Sequence, residues 1–538
     1  MGFWRPHSPA IPSVPLIQAM ECTSSPAVLN STTPEASEMA PRSPTQAIRK
    51  LQSSAALFCT GSASVDLARC LLQLYVSFLV LPLDTVVLVG VTVLAVLPLP
   101  VNEPRHQRRR LLQDAHFYPK TVLITGVGTA RGLVLARQFH YAGHRVVGGD
   151  VGLPPIRSGG STSNALSVFY RISKTQYVSN LIDIINREKV DIWIPCSDRA
   201  SAAEDGVAKG TIESRTSCKC VHFDAEFATC FAQKSLFLQY VSDKGLPVAE
   251  RHDVRSRDSI HRILNRSPHK IFQIRKLGSP LKGKAKDVII LPKKTLSQTY
   301  SDVSELTVTK EHPWILKQRG RVGKYWADLL LIQGQLKALK VRPLRREMSW
   351  GLSRLDEGLY AAMEQLMERF AEKGGTRLTG HLSVKLLVDE EVSAHAVRYA
   401  TYIAGCRQGT TAVGGLLDNP PPDLYQRYLE VLKPETNGVD SKPSEKSPAS
   451  TGQLAVQRPL WLPNAVEYAL KELRRLRQAS KTVDVLAEQL EQLLLGDNSR
   501  FSRLDPVPWW WHRHVSRPLN DLILLYDRNV EAHVKRFP

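Results

Sequence analysis

Residues 120–150, KTVLITGVGTARGLVLARQFHYAGHRVVGGD, constrain the fold more than any other stretch. Thr121 to Thr125 form an apolar, β-branched run, the composition of a strand buried on both faces. Gly126 and Gly128 follow at once, Gly132 stands four residues on, and from Ala130 the apolar residues Leu133, Val134, Ala136, Phe139 and Ala142 recur at helical spacing. Gly143 supplies a stop, and Val146 and Val147 open a second strand that ends at Asp150. The pattern is a βαβ unit and therefore predicts a parallel sheet. Glycines in such a turn let the backbone approach an anionic ligand at the helix start, or let helix and strand pack closely. The G-x-G-x-x-x-G spacing puts the last glycine one residue later than in the dinucleotide fingerprint, which favours packing, or another substrate, over a nicotinamide or flavin.

With 538 residues the chain has room for two or three domains, and its formal charge of +20 asks for anionic company. The charge is spread through many segments without a zinc-finger, RRM or helix-turn-helix signature. Anionic small substrates or a membrane surface therefore account for it more simply than nucleic acid. Eight cysteines, at 22, 59, 70, 196, 218, 220, 230 and 406, are too irregular for a disulfide framework, and the Cys218-x-Cys220 pair has no matching second pair for a metal. They read as reduced and mostly structural.

Residues 1–70 open on Pro-, Ser-, Thr- and Ala-rich sequence that cannot bury enough apolar area to offset ordering, so a disordered leader is expected. No apolar core follows the start closely enough for a signal peptide. Leu74 to Leu99 carries a single charge, Asp84, with Pro82 inside, and is long enough to span a bilayer. The alternative is a buried element of a soluble domain, such as two strands broken at Pro82 and Asp84. Arg105, Arg108, Arg109 and Arg110 follow the run, so a single-pass membrane protein would keep the body after residue 110 in the cytosol. Val190 to Pro195 is a further buried strand that delivers Cys196, Ser197 and Asp198 to a carboxyl end, where open α/β sheets bind ligands. With helices and strands to Tyr240, residues 120–245 make one α/β domain.

The next region, 246–432, is α+β in character. A strand ending at Arg275 and Lys276 runs into SPLKGKAKD, where Lys282, Lys284 and Lys286 alternate with small residues. A flexible basic loop between strands suits polyphosphate; a solvated turn is the plain alternative. Trp314–Leu316, Ala327–Gln333 and Leu336–Val341 read as strands of one antiparallel sheet, with Gly334 in a hairpin turn. Leu359–Ala371 reads as an amphipathic helix, and Leu382–Val388 and Ala400–Ile403 as further strands. Residues 433–455 have linker composition, and a C-terminal helical region over 456–538 includes Ala465–Leu495 and the aromatic-basic run Trp509 to His514.

In order, TGVGTARGLVLARQF, VDIWIPCSDRASAAEDGVAK, VHFDAEFATCFAQKSLFLQYVSDKGLPVAE, ILPKKTL, HPWILKQ, LTGHLSVKLLVDEE and WWWHRHVSRPL resemble the fungal ATP-grasp ligases of specialised-metabolite pathways. That group is distantly similar to carbamoyl-phosphate synthase and the D-alanine ligases. The resemblance implies a pre-ATP-grasp Rossmann-like domain followed by an ATP-grasp domain, with ATP and Mg²⁺ as cofactors. It implies small-molecule carboxylate and amine substrates joined through an acyl phosphate, and it leaves room for a homodimer. Arg275, with Lys276 if the register slips by one, stands at the place of a phosphate-contacting lysine; Lys385 stands where an acidic residue is usual, and Arg407 is the expected substrate or acyl-phosphate contact. Ala404 and Cys406 fall where the family carries glutamate and asparagine. Magnesium needs hard oxygen donors, so binding is expected to survive better than turnover. A non-catalytic binding or scaffold protein, and a nucleotide-sugar or dinucleotide enzyme suggested by Asp150, remain alternatives.

Overall fold

The computed structural model describes residues 70–71, 74–93, 103–152, 156–198, 200–276, 289–309, 314–344, 357–393, 396–433 and 500–534. The expected leader, residues 94–99, the loop lysines Lys282, Lys284 and Lys286, the 434–455 linker and the helix at 465–495 lie outside the described residues.

The first sheet follows from the βαβ reading. β1 (Thr121–Thr125), β2 (Arg145–Val151), β3 (Val168–Ile172), β4 (Ile192–Pro195) and β5 (Lys219–Cys220) are parallel, in the order β3-β2-β1-β4-β5. The apolar residues of β1 are inaccessible because helices cover both faces: Val122 and Ile124 pack with Phe139 of the helix Ala130–Tyr141, whereas Leu123 packs with Leu181 of the helix Tyr177–Glu188. Gly126 has a φ of +83°, and a Cβ there would stand 2.3 Å from the backbone nitrogen of Ser197. A side chain at that point would push β4 away from β1. At Gly132 a Cβ would stand 2.3 Å from the Gly126 carbonyl oxygen, so both glycines serve strand and helix packing.

The remaining strands form two antiparallel sheets rather than one. β6 (Arg251–Val254), β7 (Ile271–Lys276), β8 (Ile289–Leu291) and β9 (Trp314–Arg319) pair in the order β6-β9-β7-β8. β10 (Gly323–Ile332), β11 (Gln335–Pro343), β12 (Gly380–Ser393) and β13 (Ala396–Gln408) pair in the order β11-β10-β12-β13. The strand at Trp314 therefore belongs to a different sheet from the hairpin at Gly334, a correction to the single-sheet reading. The stretch from Ala225, whose composition reads as one helix to Tyr240, forms two, Ala225–Ala232 and Lys234–Asp243, broken at an extended Gln233. A parallel Rossmann-like sheet followed by two antiparallel lobes is the architecture of a pre-ATP-grasp domain joined to an ATP-grasp domain.

Alternation along β10 and β12 sets what each face of the third sheet meets. Ala327, Leu329 and Leu331, with Leu382, Val384, Leu386 and Val388, pack against Met363, Leu366 and Phe370 of the helix Glu357–Gly374. On the other face Leu330 and Ile332 join Val122, Ile124 and Phe139 in one core, which fixes the third sheet against the first. Farther along that same face come Asp328 and Trp326, both still buried, and then Lys324, which is exposed. The C-terminal segment closes the first sheet through Asp505, which is fully buried, pairs with Arg137 at 2.9 Å and accepts the Asn164 N–H at 3.1 Å. Among the described residues one helix, Leu74–Val93, is long and apolar enough to cross a membrane.

Candidate functional site

Seven cationic side chains from six strands and one helix converge where the open half of the third sheet faces the second. Period-two alternation explains the contribution of the second sheet. Phe272 and Ile274 of β7 and Leu316 of β9 point into its core, so Arg275 and Lys317 point the other way, with Arg251 paired opposite Lys317. The third sheet adds Lys324, Lys385 and Arg407, and the helix Lys234–Asp243 adds Lys234, whose Cε lies 3.6 Å from where a Cβ on Gly405 would stand. Trp326, opposite Lys385, is a platform for two of them: the Arg407 guanidinium carbon lies 4.9 Å and the Lys385 ammonium 5.9 Å from its ring centre.

The charges repel each other. Burial, and then Arg275, Lys234, Arg251 and Lys324, bring the Lys317 ammonium down to about 8. Burial, and then Lys385, Arg251 and Arg275, lower Lys234; burial, and then Arg407, lower Lys385. Among the described residues no carboxylate pairs with Lys234, Arg275, Lys317, Lys385 or Arg407, and the Arg275 Nε–H is buried without a hydrogen-bond partner. A guanidinium N–H left unpaired out of water is costly, and a bound anion removes that cost.

Of the residues singled out from the sequence, Arg275, Lys385 and Arg407 come together here. Lys276 falls on the opposite side of β7, level with Trp314. Lys234, Arg251, Lys317 and Lys324 were missed. The signal for Lys317 was present in HPWILKQ, where it directly follows the apolar run Trp314–Leu316 of a short strand.

Among the described residues this face presents no unpaired carboxylate for magnesium. Lys385 pairs with Gly405, Ser383 pairs with Arg407, and a bulge leaves Ala404 as the extra residue of β13. Cys406 pairs with Val384 on the core side, its thiol 3.4 Å from the Phe231 carbonyl, so it does not look onto the site. Gly405 and Arg407, rather than Ala404 and Cys406, stand beside Lys385. Asp328 is close by but already used: it accepts from Arg342 at 3.0 Å and from the Gly415 N–H at 2.8 Å, and is fully buried. Among the described residues no group of three His, Cys, Asp or Glu side chains is placed to hold a metal. The residues present do not fit Mg²⁺ at this position.

The glycine turn after β1 is taken up by the protein itself. Asp150 accepts the Gly128 N–H at 3.0 Å, the Ser158 hydroxyl donates to the same carboxylate, and Arg500 donates to the Gly128 carbonyl. A Cβ on Gly160 would lie 2.0 Å from the Val127 carbonyl oxygen, so the segment Gly159–Thr162 lies directly over the turn. Asp150, the residue that suggested a dinucleotide ribose, is spent on the turn it was expected to serve, which counts against a dinucleotide enzyme. A cavity of about 230 Å³ remains beside it, bounded by Arg157, Arg171 and Asp198.

No protein-family model matches the chain, and no curated protein matches it. Solved structures do. The biotin carboxylase subunit of pyruvate carboxylase is similar at a TM-score of 0.43 and 11% identity, over 59% of this chain and 71% of that one. An N5-carboxyaminoimidazole synthetase from Staphylococcus aureus is similar at a TM-score of 0.35 and 11% identity, over 59% and 77%. A biotin carboxylase complex from Campylobacter jejuni is similar at a TM-score of 0.36 and 11% identity, over 60% and 72%.

Proposed function

We propose that this chain binds a nucleoside polyphosphate, ATP first among them, on the cation cluster between its two antiparallel sheets, with lysine and arginine where related sites use magnesium. The observation that carries the proposal is the convergence of Lys234, Arg275, Lys317, Lys385 and Arg407 with no acidic partner among the described residues. A fold keeps like charges together at a cost, and the cost is recovered when a polyanion enters. Arg275 offers a planar donor set, and Arg407, held against Trp326, offers another; the lysines act as point charges around them.

Ligation of a carboxylate to an amine through an acyl phosphate is the second reading. It is favoured by the seating of Lys385 and Arg407 side by side, where they could neutralise a γ-phosphoryl group during transfer. In that reaction the carboxylate oxygen attacks phosphorus and ADP leaves, after which the amine displaces phosphate to give the amide. Cationic side chains neutralise charge but align the phosphoryl group less strictly than a hexacoordinate ion, so turnover is expected to be weak while binding persists.

The test is the pH dependence of ATP affinity. A bound phosphate raises the Lys317 pKa from about 8, so complex formation takes up a fraction of a proton near pH 8. Affinity is expected to be full below that point and to fall as Lys317 loses its charge above it. Titration calorimetry in buffers of different ionisation enthalpy reads the uptake directly. Lys317→Arg should diminish the uptake and keep the binding, any remainder coming from Lys234 and Lys385, whereas uptake undiminished by this substitution would remove Lys317 from the site.

A further inference from the structure

The helix Leu74–Val93 has two faces of opposite chemistry. Ser77, Asp84 and Thr85 lie on one, and the C-terminal segment engages all three. The His514 ring bridges Ser77 and Asp84 at 2.9 and 3.0 Å, the Arg513 Nε–H donates to Asp84 at 3.1 Å, and the Trp510 indole N–H donates to the Thr85 hydroxyl at 3.2 Å. The opposite face is apolar and open, with Phe78 76% exposed, Val86 70%, Tyr75 65%, Leu79 and Leu83 both 60%, and Val93 57%. Their spacing follows a single helical stripe, and a helix of this length extends about 30 Å.

The segment holding the inner face is itself pressed against the globular body. The Trp511 indole N–H donates to the Arg157 carbonyl at 3.1 Å, and a Cβ on Gly159 would lie 2.6 Å from the Pro508 carbonyl. Asp84, near the helix midpoint, is therefore only one intervening helix away from the first sheet's domain. A helix crossing a bilayer along its normal has about 15 Å of hydrocarbon on either side of its midpoint. The body would have to occupy that hydrocarbon for these contacts to hold.

We infer that Leu74–Val93 is an in-plane anchor rather than a crossing helix: its outer stripe enters one leaflet of an anionic membrane while its inner face stays bonded to the body. Anionic lipid is the occupant that the neighbouring charge favours. The following helix, Glu103–Gln113, is tied by Arg105 to the Leu504 carbonyl at 2.8 Å, and it leaves Arg109 and Arg110 exposed. An exposed apolar stripe with exposed arginines on the helix that follows it in the chain fits a phosphatidylserine-bearing surface.

The test uses the full-length protein, with accessible cysteines changed to serine, on vesicles of phosphatidylcholine mixed with phosphatidylserine. Spin labels placed through Phe78→Cys, Leu83→Cys, Val86→Cys and Val93→Cys report depth by paramagnetic relaxation. An in-plane helix gives four similar, shallow depths of roughly 5–10 Å. A depth maximum at Leu83 and Val86, falling off towards both ends, would overturn the inference in favour of a crossing helix. Phe78→Glu with Val86→Glu should reduce vesicle partition roughly tenfold or more and leave ATP affinity unchanged. Partition unaffected by that pair, or a vesicle-independent dimer that shields all four labels, would equally overturn it.

Discussion

Unfolding free energy is expected to fall by roughly 5–6 kcal/mol net between neutral pH and about pH 4, a loss of about 9 at buried histidines being partly offset by about 3 at Asp205, and this is comparable to the whole stability of a marginal domain. Three buried histidines are responsible. Burial, reinforced by Arg108 and Lys120, holds His144 down to about 4, and its Nδ1 accepts the Lys120 backbone N–H at 3.2 Å. Burial likewise brings His222 to about 4 and His381 to about 3, where the His381 ring meets the Tyr428 hydroxyl at 2.6 Å in the core between the first and third sheets. Each folded pKa lies below the unfolded value, so each contribution is complete above about 6.5 and is lost as pH falls. Asp205 works in the opposite sense. Burial raises its carboxyl to about 7 against a hydrogen bond from Tyr177 at 2.7 Å, so its contribution is complete below about 4 and disappears as pH rises through 7. Stability should therefore rise from pH 4 and level off above about pH 7. Urea unfolding across pH, with His381→Gln and Asp205→Asn beside the parent, measures both contributions. The first substitution should soften the rise from acid to neutral pH, and the second, by removing the opposing contribution, should steepen it. A parent equally stable at pH 4.5 and 7 would mean that these rings are solvated.

Removing Arg275 and Lys317 together is expected to weaken ATP binding by roughly two to four orders of magnitude, since each charge-assisted hydrogen bond contributes about 1.5–3 kcal/mol. The two side chains belong to neighbouring strands, and removing them relieves repulsion that the free protein carries. The double variant should accordingly fold at least as stably as the parent while binding far less. Lys276→Ala, on the other side of β7, is the matched control and should bind normally. Direct titration decides it: equal losses for the control and the double variant would show that the charge of the whole lobe, rather than a formed site, attracts the nucleotide.

The parts of this arrangement that local periodicity controls were legible in the sequence. Thr121–Thr125 reads as a buried strand because burial on both faces leaves no polar alternation to confuse it, and Leu359–Ala371 reads as a helix because its apolar positions recur at three and four. β3, VFYRI, was overlooked because it is the edge of its sheet and keeps mixed, partly exposed side chains. β6, RHDV, was overlooked because one face is charged: Arg251 belongs to the site rather than to a solvated loop. The choice between Arg275 and Lys276 could have been made from Phe272 and Ile274, whose spacing sends Lys276 to the core side and Arg275 away from it. What periodicity cannot supply is strand partnership. Nothing local says that β9 lies between β6 and β7, or that a bulge in β13 turns Arg407 rather than Cys406 towards Lys385.

The central claim, that fixed cations replace magnesium at this site, is tested most directly by calorimetric titration of ATP into the full chain, once in excess EDTA and once in excess magnesium. Magnesium lowers the charge that the lysines and arginines see, so ATP should bind at least as tightly in EDTA. Lys385→Glu with Arg407→Asn, which puts two oxygen donors on the same face, should reverse that order. Binding by the parent that appears only when magnesium is added would contradict the claim.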